Sequence, residues 1–293
     1  MMDDHGHEHH GAHDDDDAYD PAESAEILTR VVQEHPDRAE AWYDLGLAHK
    51  YLGNWRESAD ANLRALEITS EPGDAAWWNL GIAATALRDW SLARRAWRGY
   101  GIDDDRLGEG DAPIEVDWGT NPVRIRHADG SPAEVVWGKR ICPARIKIES
   151  IPLPESGHRW GDVILHDGAP NGERTWGKRR YPVFDELERW GPSEIATLSS
   201  RVRCARDDDS EALVEAFRAE AFEAEDWSTY VRPLCQECSE GNPDAHHAHA
   251  FPEAGDDRTF GIAAPPALAE RVLRAWRDAS PSTRDFEPPE AVG

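Results

Sequence analysis

Two segments of this 293-residue chain align with each other at a separation of 35 residues. Both carry the pattern W-x-x-L-G, as Trp42, Leu45 and Gly46 in the first copy and as Trp77, Leu80 and Gly81 in the second. Leu and Trp recur at spacings of three and four residues, which predicts amphipathic helices. A glycine at the same place in each copy predicts a close approach between paired helices. The repeat therefore constrains this part of the chain to stacked helix pairs.

The repeated pattern resembles the tetratricopeptide repeat (TPR), a helix pair with W-x-x-L-G on its first helix, small residues on its second and a period near 34 residues. Further positions match between the copies: Trp55 with Trp90, Ser58 with Ala93, and Ala61 with Ala96. Departures from the family occur at His49 and Ala84, where it has tyrosine. Together with a helix over 22–37, the resemblance implies about two and a half repeats over residues 21–102.

The resemblance also implies a function, because the inner faces of the first helices bind peptides in this family. Matched by register, the partner-binding groove is lined by Tyr43, Leu47, Lys50, Trp78, Ile82 and Thr85. An apolar, aromatic groove suits an amphipathic helix or an extended peptide. An array usually needs about three repeats to bury a continuous core. The alternative is therefore that this face packs on the chain's own middle region.

After the repeats the sequence pattern changes. Residues 103–113 are a predicted polar linker. Residues 114–190 contain short β-type runs separated by Gly and Pro, which predicts a small β barrel or sandwich. Residues 191–293 predict the order β-α-β-β-α-β, with a first helix over 209–225 and a second strand over 227–235, as in a ferredoxin-like α+β sandwich. The predicted fold is thus a multi-domain α and α+β protein.

The formal net charge of −26 opposes binding to nucleic acid or to anionic membranes, since both depend on neutralising phosphates. No apolar run approaches the ~20 residues of a membrane span. The first residues lack the basic flank and apolar stretch of a secretory signal, so we expect a cytoplasmic protein. Residues 1–20 are rich in His and Asp and have little to bury, which predicts a disordered tail.

A candidate metal site lies downstream. Cys235 and Cys238 form C-x2-C, a spacing that lets two thiolates meet one tetrahedral ion. His246 and His249 can complete a Cys2His2 set, which predicts structural zinc. With the histidine-rich tail, this loop makes a metal-binding or metal-responsive protein the first alternative function. The other interpretation is a polar loop with two free cysteines.

Residues 114–190 contain a possible acid–base or metal-ligand set in His158, Asp162, His166 and Asp167. An enzyme with its site in this region is the second alternative function. No nucleophile elbow, phosphate loop or H-E-x-x-H helix accompanies the set, so a non-catalytic protein is favoured.

The same region repeats W-G-K-R, at Trp137 and at Trp176, and so places an aromatic ring beside cations. Such groups can stack nucleic-acid bases, but cross-strand tryptophan packing is favoured because the chain is acidic. Taken together, the sequence predicts a cytoplasmic, non-catalytic adaptor for a protein or peptide partner. It does not indicate the oligomeric state.

Overall fold

The computed structural model describes residues 19–69, 71–127, 134–176, 178–228 and 255–292. These ranges contain seven α-helices and ten β-strands, so the fold class is α+β. None of the helices within them is both long and apolar enough to cross a membrane.

Five helices occupy the N-terminal third of the chain. They are α1 (Pro21–Glu34), α2 (Ala39–Tyr51), α3 (Trp55–Ile68), α4 (Ala75–Ala86) and α5 (Trp90–Tyr100). Each helix packs on the next, and α2 also contacts α4. Asp89 caps α5 by accepting a hydrogen bond from the backbone N–H of Leu92 at 3.0 Å.

The glycines of the repeated pattern lie where neighbouring helices touch. A Cβ on Gly46 would come closer than 3.0 Å to the Asn62 amide on α3. A Cβ on Gly81 would overlap the ring of Trp97 on α5. The close approach predicted from the two copies is therefore confirmed, and each glycine makes room for a side chain of the following helix.

Five strands form a closed barrel. They are β1 (Thr120–Ile125), β2 (Glu134–Cys142), β3 (Arg145–Ile148), β4 (Val163–Trp176) and β5 (Arg179–Gly191). Each pairs antiparallel with the next, and β1 pairs parallel with β5, as closing an odd number of strands in this order requires. The run 114–118 reads as a strand but lies outside the barrel; Val116 and Trp118 donate backbone hydrogen bonds to β2.

The remaining elements form a second sheet with two helices. They are β6 (Thr197–Cys204), α6 (Asp207–Ala219), β7 (Glu223–Asp226), β8 (Asp257–Ala263), α7 (Pro266–Asp278), β9 (Arg284–Phe286) and β10 (Glu290–Ala291). The strand order is β10-β6-β8-β7, and β9 also pairs with β6. Both helices contribute to one core with this sheet, through Phe217 of α6 and Leu273 of α7.

The predicted helix over 209–225 is too long. Helix α6 ends at Ala219, Ala221 adopts a left-handed conformation (φ 61°), and Glu223–Asp226 pairs with β8 instead. No Gly or Pro marks the end of α6 in the sequence. The helix ends there because pairing of the next residues with a distant strand outweighs their local helix propensity. The pairing strand thus precedes the predicted one over 227–235, most of which lies outside the described residues.

Residues 103–113, predicted as a linker, lie against α5. The Arg94 guanidinium donates hydrogen bonds of 2.7 Å to the carbonyl oxygens of Leu107, Gly110 and Ala112. Leu107 is buried together with residues of α4 and of the barrel. This segment therefore fastens the helices to the barrel.

Candidate interaction surfaces

The predicted groove residues lie on α2 and α4, and this face is covered by the barrel. The Lys50 side chain is only 3% exposed, and its Nζ lies 2.9 Å from Oδ1 and 3.1 Å from Oδ2 of Asp167 on β4. The Tyr51 hydroxyl donates to the same carboxylate at 3.0 Å. A buried ion pair between residues 117 positions apart thus joins the helices to the barrel.

Charge and burial act in opposite directions on this pair. Burial by itself raises the pKa of Asp167, but the Lys50 ammonium and the hydrogen bonds from Lys50, Tyr51 and the Gly168 N–H bring that pKa below its ordinary value. Burial also raises the pKa of Tyr51, and the Asp167 charge raises it further. The carboxylate is therefore held ionised and the phenol is held protonated as a donor.

The apolar part of the groove is filled as well. Ile82 and Thr85 are fully buried, and the indole N–H of Trp190 on β5 donates to the Thr85 carbonyl at 3.1 Å. A Cβ on Gly168 would overlap the Trp78 indole, so the β4 backbone lies directly on that ring. Tyr43, Leu47 and Trp78 remain partly exposed. The chain's own barrel thus covers the part of the predicted groove formed by Lys50, Trp78, Ile82 and Thr85, in keeping with the alternative interpretation.

Each of the four polar residues of the predicted acid–base set is held by a contact within the fold, and that of Asp167 is the ion pair with Lys50. His158 Nε2 lies 2.8 Å from Glu186, and Asp162 accepts from the backbone N–H of Ser193 at 2.6 Å. His166 is completely buried, with its Nδ1 2.6 Å from the Asp167 carbonyl. None of the four lines the open cleft described below.

The predicted zinc ligands Cys235, Cys238, His246 and His249 lie outside the described residues. Among the residues that the structure does describe, no group of three or more His, Cys, Asp or Glu side chains is placed to hold a metal ion. The zinc site therefore stays a prediction from the sequence.

An open cleft of about 1040 Å³ separates the barrel from α6 and β7. Its barrel side carries three tryptophans, Trp137, Trp160 and Trp176. The rings of Trp137 and Trp176 lie 5.6 Å apart, and Tyr181 packs edge-on against Trp137 at 5.2 Å. Trp176 is nevertheless 66% exposed. This wall thus presents a large aromatic surface to solvent.

The opposite wall of the cleft is acidic. Lining carboxylates come from α6, from β7 and from the barrel side; they are Glu149, Glu211, Glu215, Glu223, Glu225 and Asp226. The two lining arginines are already paired, Arg218 with Glu215 and Glu223, and Arg258 with Asp226. Burial raises the pKa of Glu223, and Arg218 opposes that rise. The cleft therefore carries a net negative charge.

The sequence identified part of this cleft. The repeated W-G-K-R points to Trp137 and Trp176, whose rings pack on each other from β2 and β4, two strands separated by β3. The two copies are not equivalent, since the first lies within β2 and the second spans the turn between β4 and β5. The acidic wall had no comparable signal, because Glu and Asp are spread along the whole chain.

Comparisons with known proteins assign no family to this chain. No family model matches it. No curated protein matches it either. Among solved structures, a hypothetical protein from Neisseria gonorrhoeae aligns with 62% of this chain and 99% of its own length, at 10% identity and a TM-score of 0.24. A similarity this low carries no argument about fold or function.

Proposed function

We propose that this chain is a non-catalytic adaptor that binds a protein or peptide partner at the cleft between the barrel and the C-terminal α+β region. In this proposal residues 21–102 are a TPR-type array that holds the barrel, and residues 191–293 are a ferredoxin-like unit. Zinc at Cys235, Cys238, His246 and His249 would be a structural addition to that unit. The observation that carries the proposal is that the barrel covers the groove while the tryptophan-lined cleft is open.

Two features support the assignment of the flanking regions. The contact of α2 with α4 and the glycine positions between paired helices are those expected of stacked TPR-type repeats. In the C-terminal sheet, β8 lies between β6 and β7, and both terminal strands, β9 and β10, lie beside β6. Antiparallel pairing throughout that sheet supports a ferredoxin-like topology.

The energetics favour the cleft over the groove as the partner site. Ile82 of α4 and Leu165 of β4 are fully buried in one shared core. Exposing both to open the groove costs on the order of 3–6 kcal/mol, at about 1.5–3 kcal/mol for each side chain. A partner would lose at least about a hundredfold in apparent affinity to that opening. The cleft needs no such rearrangement.

A selection from a random peptide library on the immobilised protein tests this function. The selected peptides are then titrated against the wild-type protein and against Trp176→Ala, with Tyr19→Ala as the matched loss of an exposed aromatic outside the cleft. We expect Trp176→Ala to weaken binding about tenfold and Tyr19→Ala to leave it unchanged. Binding that is lost in Tyr43→Ala but kept in Trp176→Ala would instead place the partner in the groove.

A further inference from the structure

We infer that the cleft binds an extended, basic segment of a partner protein, one that places arginine or lysine side chains between the tryptophans and the carboxylates. This inference rests on the proposed function and names the chemistry of the partner. Three properties of the cleft support it: the composition of the two walls, the pairing of the charges that line them, and the volume of about 1040 Å³.

The aromatic wall suits a cationic side chain. Tryptophan is the best partner for a cation over an aromatic face, and a guanidinium also stacks flat on the ring. Trp176 offers most of its surface to solvent. Trp137 packs against the Trp176 ring at 5.6 Å, and Tyr181 in turn packs against Trp137. In the described part of the chain, no arginine or lysine is placed over the Trp176 ring. The exposed surface of Trp176 can thus take a cation from a partner.

The carboxylates complete the match. The guanidiniums of Arg218 and Arg258 are matched by carboxylates of the same wall. Glu149 and Glu211 lie on opposite walls, are exposed, and form no ion pair with any residue that the structure describes. A cation between the walls thus meets negative charge from two directions.

The size and the charge of the cleft narrow the class of partner. A volume of about 1040 Å³ is at the upper end of the range for compact binding sites, so a stretch of several residues can be accommodated. Nucleic acids and anionic lipid surfaces bring phosphates, which the carboxylates repel. The basic residues that follow Trp176, Lys178 and Arg179, do not line the cleft. A basic peptide segment fits these properties best.

The test must separate this site from the general attraction of a chain with charge −26. The probe is a fluorescein-labelled peptide of alternating glycine and arginine with three arginines, titrated by fluorescence polarisation at 0.15 M salt. At that ionic strength charges more than about 8 Å away are largely screened. Companion peptides replace arginine with citrulline, which keeps the shape without the charge, or with glutamate.

Three variants locate the binding. Trp176→Ala should raise the Kd of the arginine peptide about tenfold. Glu149→Gln combined with Glu211→Gln should raise it roughly fivefold, and near-ultraviolet circular dichroism checks that both proteins stay folded. The matched charge control is Glu26→Gln with Glu34→Gln, two exposed glutamates of α1, which should change the Kd by less than about twofold.

The outcomes are distinct. The inference is supported if binding is lost in the cleft variants and with the citrulline peptide while the Glu26→Gln, Glu34→Gln control binds as the wild type does. Equal weakening in the cleft and control variants, or tighter binding of the glutamate peptide, overturns it. Library peptides without arginine or lysine that still depend on Trp176 would leave the adaptor function standing and refute only the basic partner. If no peptide depends on Trp176, both proposals fail.

Discussion

The ion pair between Lys50 and Asp167 should hold the barrel on the helices, and its removal gives a quantitative prediction. Asp167→Ala leaves the ammonium of Lys50 buried, with the Asn79 side-chain oxygen at 3.4 Å and the Tyr51 ring centre at 4.5 Å. Lys50→Met leaves a carboxylate that still accepts from the Tyr51 hydroxyl and from the Gly168 N–H. The first variant is therefore the more damaging of the two.

The magnitude follows from burial. Removing one member of a buried pair costs about 3–5 kcal/mol, because the remaining charge loses its partner without regaining water. We expect about 3 kcal/mol for Asp167→Ala and about 2 kcal/mol for Lys50→Met, where hydrogen bonds remain. The double variant should cost less than the sum, with a coupling free energy of about 2 kcal/mol.

Urea unfolding, followed by both tryptophan fluorescence and far-ultraviolet circular dichroism, measures these free energies. Coincidence of the two probes is needed before a two-state free energy is extracted. Arg64 and Glu67 form an exposed ion pair on α3, and the cycle of Arg64→Met with Glu67→Ala is the control. Its coupling should stay below about 0.5 kcal/mol.

The pH dependence adds a second criterion. The pKa of Asp167 is lower in the folded state than in the unfolded state. Its contribution to the free energy of unfolding is therefore present above the unfolded-state pKa and is lost as the pH falls through the folded-state pKa. The coupling should therefore shrink below about pH 4. A coupling below about 0.5 kcal/mol at pH 7 would refute the view that this pair fastens the barrel to the helices.

Three further predictions concern other parts of the molecule. Gly168→Ala should destabilise the protein by at least about 2 kcal/mol in urea, because its Cβ would overlap the Trp78 indole; an unchanged midpoint would show that the barrel does not lie on this ring. Burial and the nearby Arg140 lower the pKa of His166 to about 3, so stability should be lost as the pH falls from about 6.5 towards 3; His166→Phe should flatten this dependence, whereas the exposed His35→Gln should not. Tag-free protein should contain zinc by elemental analysis, and Cys235→Ser with Cys238→Ser should remove it; equal zinc in both proteins would contradict the predicted site.

Local patterns were sufficient for the elements whose signal lies within a few residues. The Leu and Trp spacing predicts the helices of the first region, and the structure contains five of them between Pro21 and Tyr100. The pattern failed at the end of α6, where Glu223–Asp226 has helix-forming composition but pairs with β8. There the outcome depends on a strand more than 30 positions away.

The sites required contacts that no local pattern contains. The repeat register predicts that Lys50 lies on the groove, but the sequence pattern groups its partner Asp167 with histidines in a possible acid–base set. The acidic wall of the cleft comes from α6 and β7, whereas its tryptophans come from the barrel. Which residues face each other across such distances follows from tertiary packing, which local sequence patterns do not contain.

Coverage of the groove by β4 and β5 has a consequence for synthesis on the ribosome. The helices end at Tyr100, but the strand that carries Trp190 is complete only at Gly191. At ~5–20 residues per second, roughly 5–20 s separate the two events. During that interval the barrel strands that cover Trp78 and Ile82 have not folded. The nascent chain therefore exposes an apolar surface while its later segments are being synthesised. Slow translation between the codons for Tyr100 and Gly191, or loss of a chaperone during that interval, should therefore increase aggregation of this protein the most.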